Sequence, residues 1–383
     1  MAFRAEVVDR LADVPAADWD ALDGAGNPFV AHAFLEALEA HGCVGDDTGW
    51  TPRHLLLRDG EGRLAGAVPR YAKAHSWGEF VFDWSWAQSY ARAGLPYYPK
   101  QLSAVPFTPV TGPRLLVRAG PDAAELRRTL AERLLHDASR DGVSGTHVNF
   151  TTPADQAVLE DAGFLRRHDC RFLWRNRGYR DFEDFLDGLR ADKRKKLRRE
   201  RRRVAESGIE LDTLPGEAID APLWQTIFSF TERTFLRHGN AHYLTAGFLA
   251  DVSRRLPGAV VVVLARQADA PLAASIFLQG GGALYGRYWG AARHEDCLHF
   301  EACYYRGIEH CIAHGLQSFD PGTQGEHKLA RGFAPTLTSS AHWLAQGEFR
   351  AAVARYLERE RAAVAEYVAA AATHLPFQRD AAP

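Results

Sequence analysis

Two stretches of the chain carry the same order of apolar and polar positions. Residues 53–71 (RHLLLRDGEGRLAGAVPRY) lie over residues 261–279 (VVVLARQADAPLAASIFLQ) at a constant offset of 208. Leu56, Arg58, Leu64 and Ala65 recur as Leu264, Arg266, Leu272 and Ala273. Each stretch reads as a β-rich run, a polar turn (residues 59–62 and 267–270) and a second strand, which is a hairpin pattern. A third strand is expected in each half, at residues 78–84 and 283–289. Helical periodicity follows over residues 123–140 and 300–314, then a strand over 146–150 and 316–320, with Gly315 as a helix stop. The order predicts an α/β protein with mixed sheets flanked by helices, built twice. The expected divisions are residues 1–175, residues 176–345 and a helical tail, 346–383. Within that tail, residues 348–372 are Ala-rich with scattered Arg and Glu, and read as a packed helix or one that joins a homodimer.

At 383 residues the chain exceeds one ordinary core, in keeping with two halves. Hydrophobic content of 46% with 25% charge is that of a globular protein. No stretch approaches the roughly 18 apolar residues of a membrane span. The first ten residues carry charges where a secretion signal needs an apolar centre, so a cytoplasmic location is expected. Five cysteines without C-x-x-C spacing suit reduced thiols. Cys303 and Cys311 fall on one helical face as core residues do, and no metal site is expected.

Charge changes the picture more than composition does. The net charge of −2 hides a segment, 190–203, with ten Lys or Arg against Asp192 and Glu200. That is a local +8, leaving −10 on the rest. The segment consists of good helix formers, and Leu197 and Val204 give it one thin apolar seam. A surface helix over 190–204 is expected to open the second half. Cations at i,i+3 and i,i+4 repel one another, and a bound polyanion would relieve the repulsion. Lys193, Arg194, Lys196, Arg198, Arg199 and Arg202 are the candidate phosphate contacts. The plainer alternative is a solvated charged face.

Four motifs carry a family resemblance: FDWSW from Phe82, YYPK from Tyr97, PFTPVTGPR from Pro106, and GTQGEHKLARGF from Gly322. They resemble a bacterial family of N-acyltransferases related to the FemAB-type peptidyltransferases of peptidoglycan synthesis, from about Phe29 to Trp343. The resemblance implies two GNAT-like domains in tandem, and transfer of an acyl or aminoacyl group to an amine. It also implies acyl-CoA or aminoacyl-tRNA as co-substrate, with no tightly bound cofactor. The acceptor is then a small-molecule or peptide amine, and tRNA is a candidate partner. GNAT enzymes that use acetyl-CoA usually carry a Q/R-x-x-G-x-G/A phosphate loop. Here Gln279-Gly-Gly-Gly-Ala-Leu is the nearest approach, with Leu284 at the last small position.

Acyl transfer needs a positioned carbonyl, a proton acceptor and a stabilised oxyanion. No Gly-x-Ser-x-Gly elbow is present, so direct attack by the amine is the simpler route. Glu301 is the first choice of base, with His299 beside it at a helix start. A loop cluster follows the strand at 316–320. In it Glu326 and His327 suit proton transfer, while Asp320, Gln324, Lys328 and Arg331 suit substrate binding. In the first half, Asp83, Trp84, Tyr97, Tyr98, Lys100, Thr108 and Arg114 read either as core or as a groove for a sugar, peptide or acyl group. The polar loop with His238, Asn240 and Tyr243 is a further candidate. The reading is an N-acyltransferase. Its alternatives are a non-catalytic module that recognises a cell-wall precursor or RNA, and a plain nucleic-acid binder.

Overall fold

A computed structural model describes residues 3–22, 24–323 and 325–378. The chain forms two compact units. One comprises the residues up to Asp169 together with Leu337–Glu366, and the other comprises Cys170–Thr336 with the segment from Tyr367. The sequence reading puts the change at 175/176 and sets 346–383 apart; the contacts instead return 337–366 to the first unit.

In the first unit, strands Arg4–Val8, His54–Arg58, Leu64–Val68 and Leu116–Val117 form an antiparallel sheet in that order. The expected turn between the second and third of these is tied by Asp59, whose Oδ1 accepts from the backbone of Glu61 and Arg63. Helix Ala123–Arg140 lays Leu126, Leu130 and Leu134 into a core with Leu55, Leu57 and Val68. A second set of strands runs Trp50–Pro52, Tyr71–Lys73, Lys100–Ser103, Gly145–Thr151, with only the last pair parallel. The far end of strand Ala334–Leu344 pairs with Gly145–Thr151.

The third strand expected over residues 78–84 does not form. Gly78 and Phe80 take left-handed backbone (φ 78° and 58°), which breaks an extended run. Glu79 and Asp83 turn inward to Lys100, and helix Trp84–Arg92 follows. The tail is one helix, Gly347–Ala372, and its first turns pack: Val353 and Leu357 share a cluster with Trp86, Tyr90 and Leu344.

One buried pair in this unit makes a pH prediction. His147 Nδ1 lies 3.0 Å from His342 Nδ1, and both rings are buried. Burial pushes His147 down to about 3 and His342 well below its ordinary value. Between pH 6.5 and 3 the unfolded chain therefore holds protons that the native chain does not, and stability rises with pH across that window. Urea unfolding at pH 5 and pH 7 is expected to show the chain weaker at pH 5. The slope should approach about 1.4 kcal/mol per pH unit for each imidazole.

In the second unit, strands Ile209–Pro215, Val260–Gln267, Ala270–Gly280 and Ala283–Ala291 are antiparallel neighbours. The hairpin turn at Ala268 and Asp269 has φ of 48° and 64°, the left-handed pair of a tight two-residue turn. Ser318–Asp320 adds a parallel strand, and the end of Leu165–Arg175 pairs with its other edge. Helix Ala221–Arg237, capped by the Asp220 carboxylate, crosses the sheet at Gly290. A Cβ there would sit 2.1 Å from the Phe230 carbonyl carbon, so only glycine allows that approach. The main core gathers Trp174, Phe185, Phe277, Ile308 and Phe319 under a helix that runs from Leu298 to Ala313.

Candidate functional site

The parallel strands of the second unit pair only from Ala283↔Ser318 to Tyr285↔Asp320. Nearby, a register shift at Ile276/Phe277 disturbs the adjoining ladder. Between these irregularities lies a small cavity of about 110 Å³, lined by Ser275, Arg287, Tyr288, His299, Cys303 and Tyr304 among others. The covering helix is interrupted here by a π-helical turn, Glu301–Tyr305, which sets Cys303 and Tyr304 on the cavity wall. Such turns are rare and frequent at functional sites.

The lining has clear protonation states. Burial pushes the Cys303 thiol up to about 12, and its Sγ lies 2.8 Å from Ser275 Oγ. A thiolate nucleophile is thereby excluded near neutral pH. His299, packed edge-on against Trp289 at 5.4 Å, is pushed down to about 4 by burial and stays neutral. The Tyr304 hydroxyl lies 2.9 Å from His327 Nε2. His327 is exposed as a residue, yet partial desolvation of its ring first, then the cations Arg331 and Lys328, hold it below the ordinary imidazole range. A neutral imidazole thus reaches the cavity through a phenol. That is a short proton path.

The loop beside the cavity is braced from three sides. One Arg171 Nη reaches both oxygens of Asp320, at 2.8 and 2.9 Å. Asp320 Oδ1 also accepts from the Gly322 backbone at 2.9 Å. Lys328 Nζ donates to the carbonyls of Gly322 (2.8 Å) and Thr323 (3.2 Å). Burial lowers Lys328 to about 8. Arg331 is buried too, and its charge is spent: it donates to Glu200 at 2.9 Å and to the Tyr305 hydroxyl at 3.0 Å, and lies over the Phe300 ring. Lys328 and Arg331 therefore hold protein atoms rather than present free cations.

Other predicted residues fall elsewhere. Glu301 is buried and bound by Arg201 through two bonds of 3.1 and 2.9 Å, which occupies the carboxylate expected to act as base. Glu326 is exposed and accepts from the Tyr367 hydroxyl at 3.0 Å. Gln324 lies outside the described residues. A larger cleft of about 450 Å³ touches Val261, Arg306 and Ala313, but its His310 and Gln279 are bonded to each other at 2.7 Å. None of the predicted site residues lines it.

The basic segment is helix Ala191–Glu206, with Leu197 and Val204 buried as the seam. Most of its cations have partners. Arg194 donates to the Asp187 and Leu189 carbonyls, Arg198 pairs with Glu183, and Arg203 with Asp296. Lys193 and Lys196 lie 3.4 and 3.9 Å from Asp192 and Glu200. Among the described residues, Lys195, Arg199 and Arg202 meet no carboxylate within 4.0 Å. They are exposed and spaced i, i+4, i+7, which aligns them on one face.

In the first unit the predicted groove is largely an internal network. Lys100 Nζ is fully buried, 2.8 Å from Glu79 and in contact with Asp83. Burial works against its charge, but the two carboxylates outweigh that and raise its pKa. Tyr97 donates to Asp83 at 2.6 Å, and the Tyr98 hydroxyl lies 2.8 Å from Ser76 Oγ. Arg114 bonds the carbonyls of Asn149 and Val110, and Thr108 that of Pro106. Lys100 and Arg114, expected as anchors for an anionic ligand, are instead internal struts. Trp84 alone of this set is exposed, at 37%.

The chain matches the FemAB-like family, described as peptidoglycan biosynthesis and recognition, over residues 10–379, and it belongs to that family. No curated protein matches it. Among solved structures it resembles the C-terminal domain of a putative lysylphosphatidylglycerol synthetase from Agrobacterium fabrum, with a TM-score of 0.55 at 10% identity. That match covers 89% of this chain and 96% of the other. It also resembles FemX, with a TM-score of 0.52 at 11% identity, covering 90% and 97%. A third, L-PGS from Bacillus licheniformis, gives 0.53 at 11%, covering 86% and 91%. At such identities the likeness is one of fold: two α/β units with a C-terminal helix.

Sequence reasoning missed Tyr304 and Arg171. Tyr304 sits in a helix whose pitch changes by one residue, which periodicity does not reveal. Arg171 meets Asp320 across 149 residues. Nothing local singles it out, since the strand Leu165–Arg175 also carries Arg166, Arg167 and Arg175.

Proposed function

We propose that this chain is an N-acyltransferase that passes an acyl or aminoacyl group to an amine by direct attack at the cavity of the second unit. The observation that carries the reading is the neutral His327 joined through the Tyr304 hydroxyl to a cavity wall whose thiol stays protonated. The amine nitrogen bonds to the donor carbonyl carbon while the carbonyl π electrons move to oxygen. As that tetrahedral centre forms, the amine proton passes to the Tyr304 oxygen and the phenol proton to His327 Nε2. Collapse breaks the bond to the ribose oxygen or thioester sulfur; the leaving group takes a proton from the Tyr304 hydroxyl, and His327 returns its own to Tyr304, which restores the starting state. Arg287 lines the same cavity and supplies positive charge where the oxyanion develops. Arg171, Asp320 and Lys328 keep the loop at Pro321 and Thr323 in place.

The family description supports an amine on a cell-wall precursor as acceptor. The exposed face of Lys195, Arg199 and Arg202 supports a donor that carries phosphates, of the aminoacyl-tRNA or acyl-CoA kind. Reversing those three charges together is expected to weaken apparent donor affinity by roughly tenfold or more, and to flatten its salt dependence. Steady-state kinetics at two salt concentrations reads both effects.

The donor class is tested by offering acyl-CoA and aminoacyl-tRNA pools separately, with amine acceptors, and following labelled acyl transfer by mass spectrometry. Product from one pool is the expected result. No product from either pool would overturn the reading.

A further inference from the structure

Eight large hydrophobic side chains are exposed among the described residues, and four of them fall between residues 77 and 95. Trp77 is 54% exposed, Phe82 64%, Trp84 37% and Leu95 36%. Trp77 and Trp84 meet edge to face with centroids 4.6 Å apart. These rings are not a core left uncovered. The backbone beneath them is fixed by the buried Lys100, Glu79, Asp83 and Ser76 network, and Arg167 donates to the Phe82 carbonyl at 2.8 Å. The protein orders this segment firmly and still leaves its aromatic rings in water, which marks a contact surface.

The kind of partner follows from exposure and charge. Walls of a small-molecule pocket enclose their ligand, whereas rings more than half exposed stand proud and suit a broad, soft surface. Residues 76–99 contain three charged side chains, Glu79, Asp83 and Arg92. Both carboxylates are buried against Lys100, so the one exposed charge is the cation Arg92. The stretch thus presents no carboxylate to solvent, which suits an anionic surface. Ser85, Gln88 and Ser89 supply a polar, uncharged fringe. Indole rings with a polar edge and an apolar body settle at the boundary between water and acyl chains.

We propose that the segment carrying the exposed Trp77, Phe82, Trp84 and Leu95, with the Trp77–Trp84 pair at its centre, seats the first unit on a lipid bilayer surface, with Arg92 facing anionic headgroups. Contact of this kind is peripheral and reversible. Among the described residues no helix is long and apolar enough to cross a membrane.

The test is co-sedimentation of the full chain with vesicles of phosphatidylcholine, alone or mixed with phosphatidylglycerol. Wild type is expected to sediment with vesicles, more strongly with the mixed ones. Trp77→Ser with Phe82→Ser should reduce partitioning roughly tenfold. Arg92→Glu should weaken binding only to the mixed vesicles. Both substituted rings are exposed, and an unchanged unfolding midpoint confirms that the variant folds. Wild type remaining in the supernatant with both vesicle types overturns the proposal. Equal sedimentation of the ring variant overturns it too. So does a wild-type dimer in light scattering that the ring variant dissolves, since the segment would then face a second copy. No acyl donor is present in the assay, so failure here leaves the transferase reading as it stands.

Discussion

Lys100→Met is expected to destabilise the chain by about 3–5 kcal/mol, because it leaves two buried carboxylates without their cation. Glu79 and Asp83 are 3% and 2% exposed, and Lys100 is fully buried between them. One oxygen of Glu79 already lacks a partner. Burial has raised Glu79 to about 7, so in the variant it escapes by taking up a proton. Asp83 has no such easy route. In the native chain it is held well below its ordinary value, against burial, by Lys100 and by its hydrogen bonds. Ser76 and Tyr97 still donate to it in the variant, which keeps the cost within the range given. Urea unfolding measures the loss. Adding Glu79→Gln to Lys100→Met should recover part of it. A change below about 1 kcal/mol would place these groups with exposed ion pairs, whose removal costs little.

The second large effect concerns chemistry. Tyr304→Phe is expected to lower kcat by roughly 100- to 10,000-fold with little change in donor affinity. The substitution keeps the ring on the cavity wall and removes only the oxygen that links the cavity to His327. His327→Gln should fall in the same range, and the double variant should lose little more, because one path is broken only once. Cys303→Ser should stay near wild type, since the thiol is already protonated. Glu301→Gln separates the older candidate from the new one. Glu301 binds Arg201, so its loss should lower the unfolding midpoint while leaving the rate constant close to wild type. Single-turnover rates with saturating donor distinguish these cases. A full rate from Tyr304→Phe would remove the proton path.

Much of the fold was written locally. The turn at Asp59, the helix Ala123–Arg140 and the seam of Leu197 and Val204 each depend on neighbours within one or two turns of chain. Such features show in spacing alone. The site was legible only in part. His299 stood out beside a helix start and His327 in a glycine-punctuated loop; the structure sets His299 on the cavity wall and His327 behind Tyr304. The segment at 78–84 was misread as a strand because its apolar positions fit one. Its conformation is decided by Lys100, 17 residues beyond Asp83. Arg171 with Asp320, and His147 with His342, join residues 149 and 195 apart. No local pattern announces such a partner. Glu301 looked like a base for the same reason, since its bond to Arg201 spans 100 residues.

The charge run shows both limits. Its helical form and buried edge followed from composition and period. Which cations remain free did not, because Glu183, Asp296, Glu301 and Glu309 come from other elements. Six residues were expected to touch phosphate, yet four of these have internal partners. Arg199 and Arg202 remain, joined by Lys195.

The measurement that bears most directly on direct transfer at the second unit is a single turnover followed by intact mass spectrometry. Donor, amine acceptor and wild-type chain are mixed, and product and protein masses are read in the same sample. Labelled product should form while the protein mass stays unchanged, and Tyr304→Phe should suppress that product. An acyl adduct on the chain that precedes product, or undiminished product from Tyr304→Phe, would contradict it.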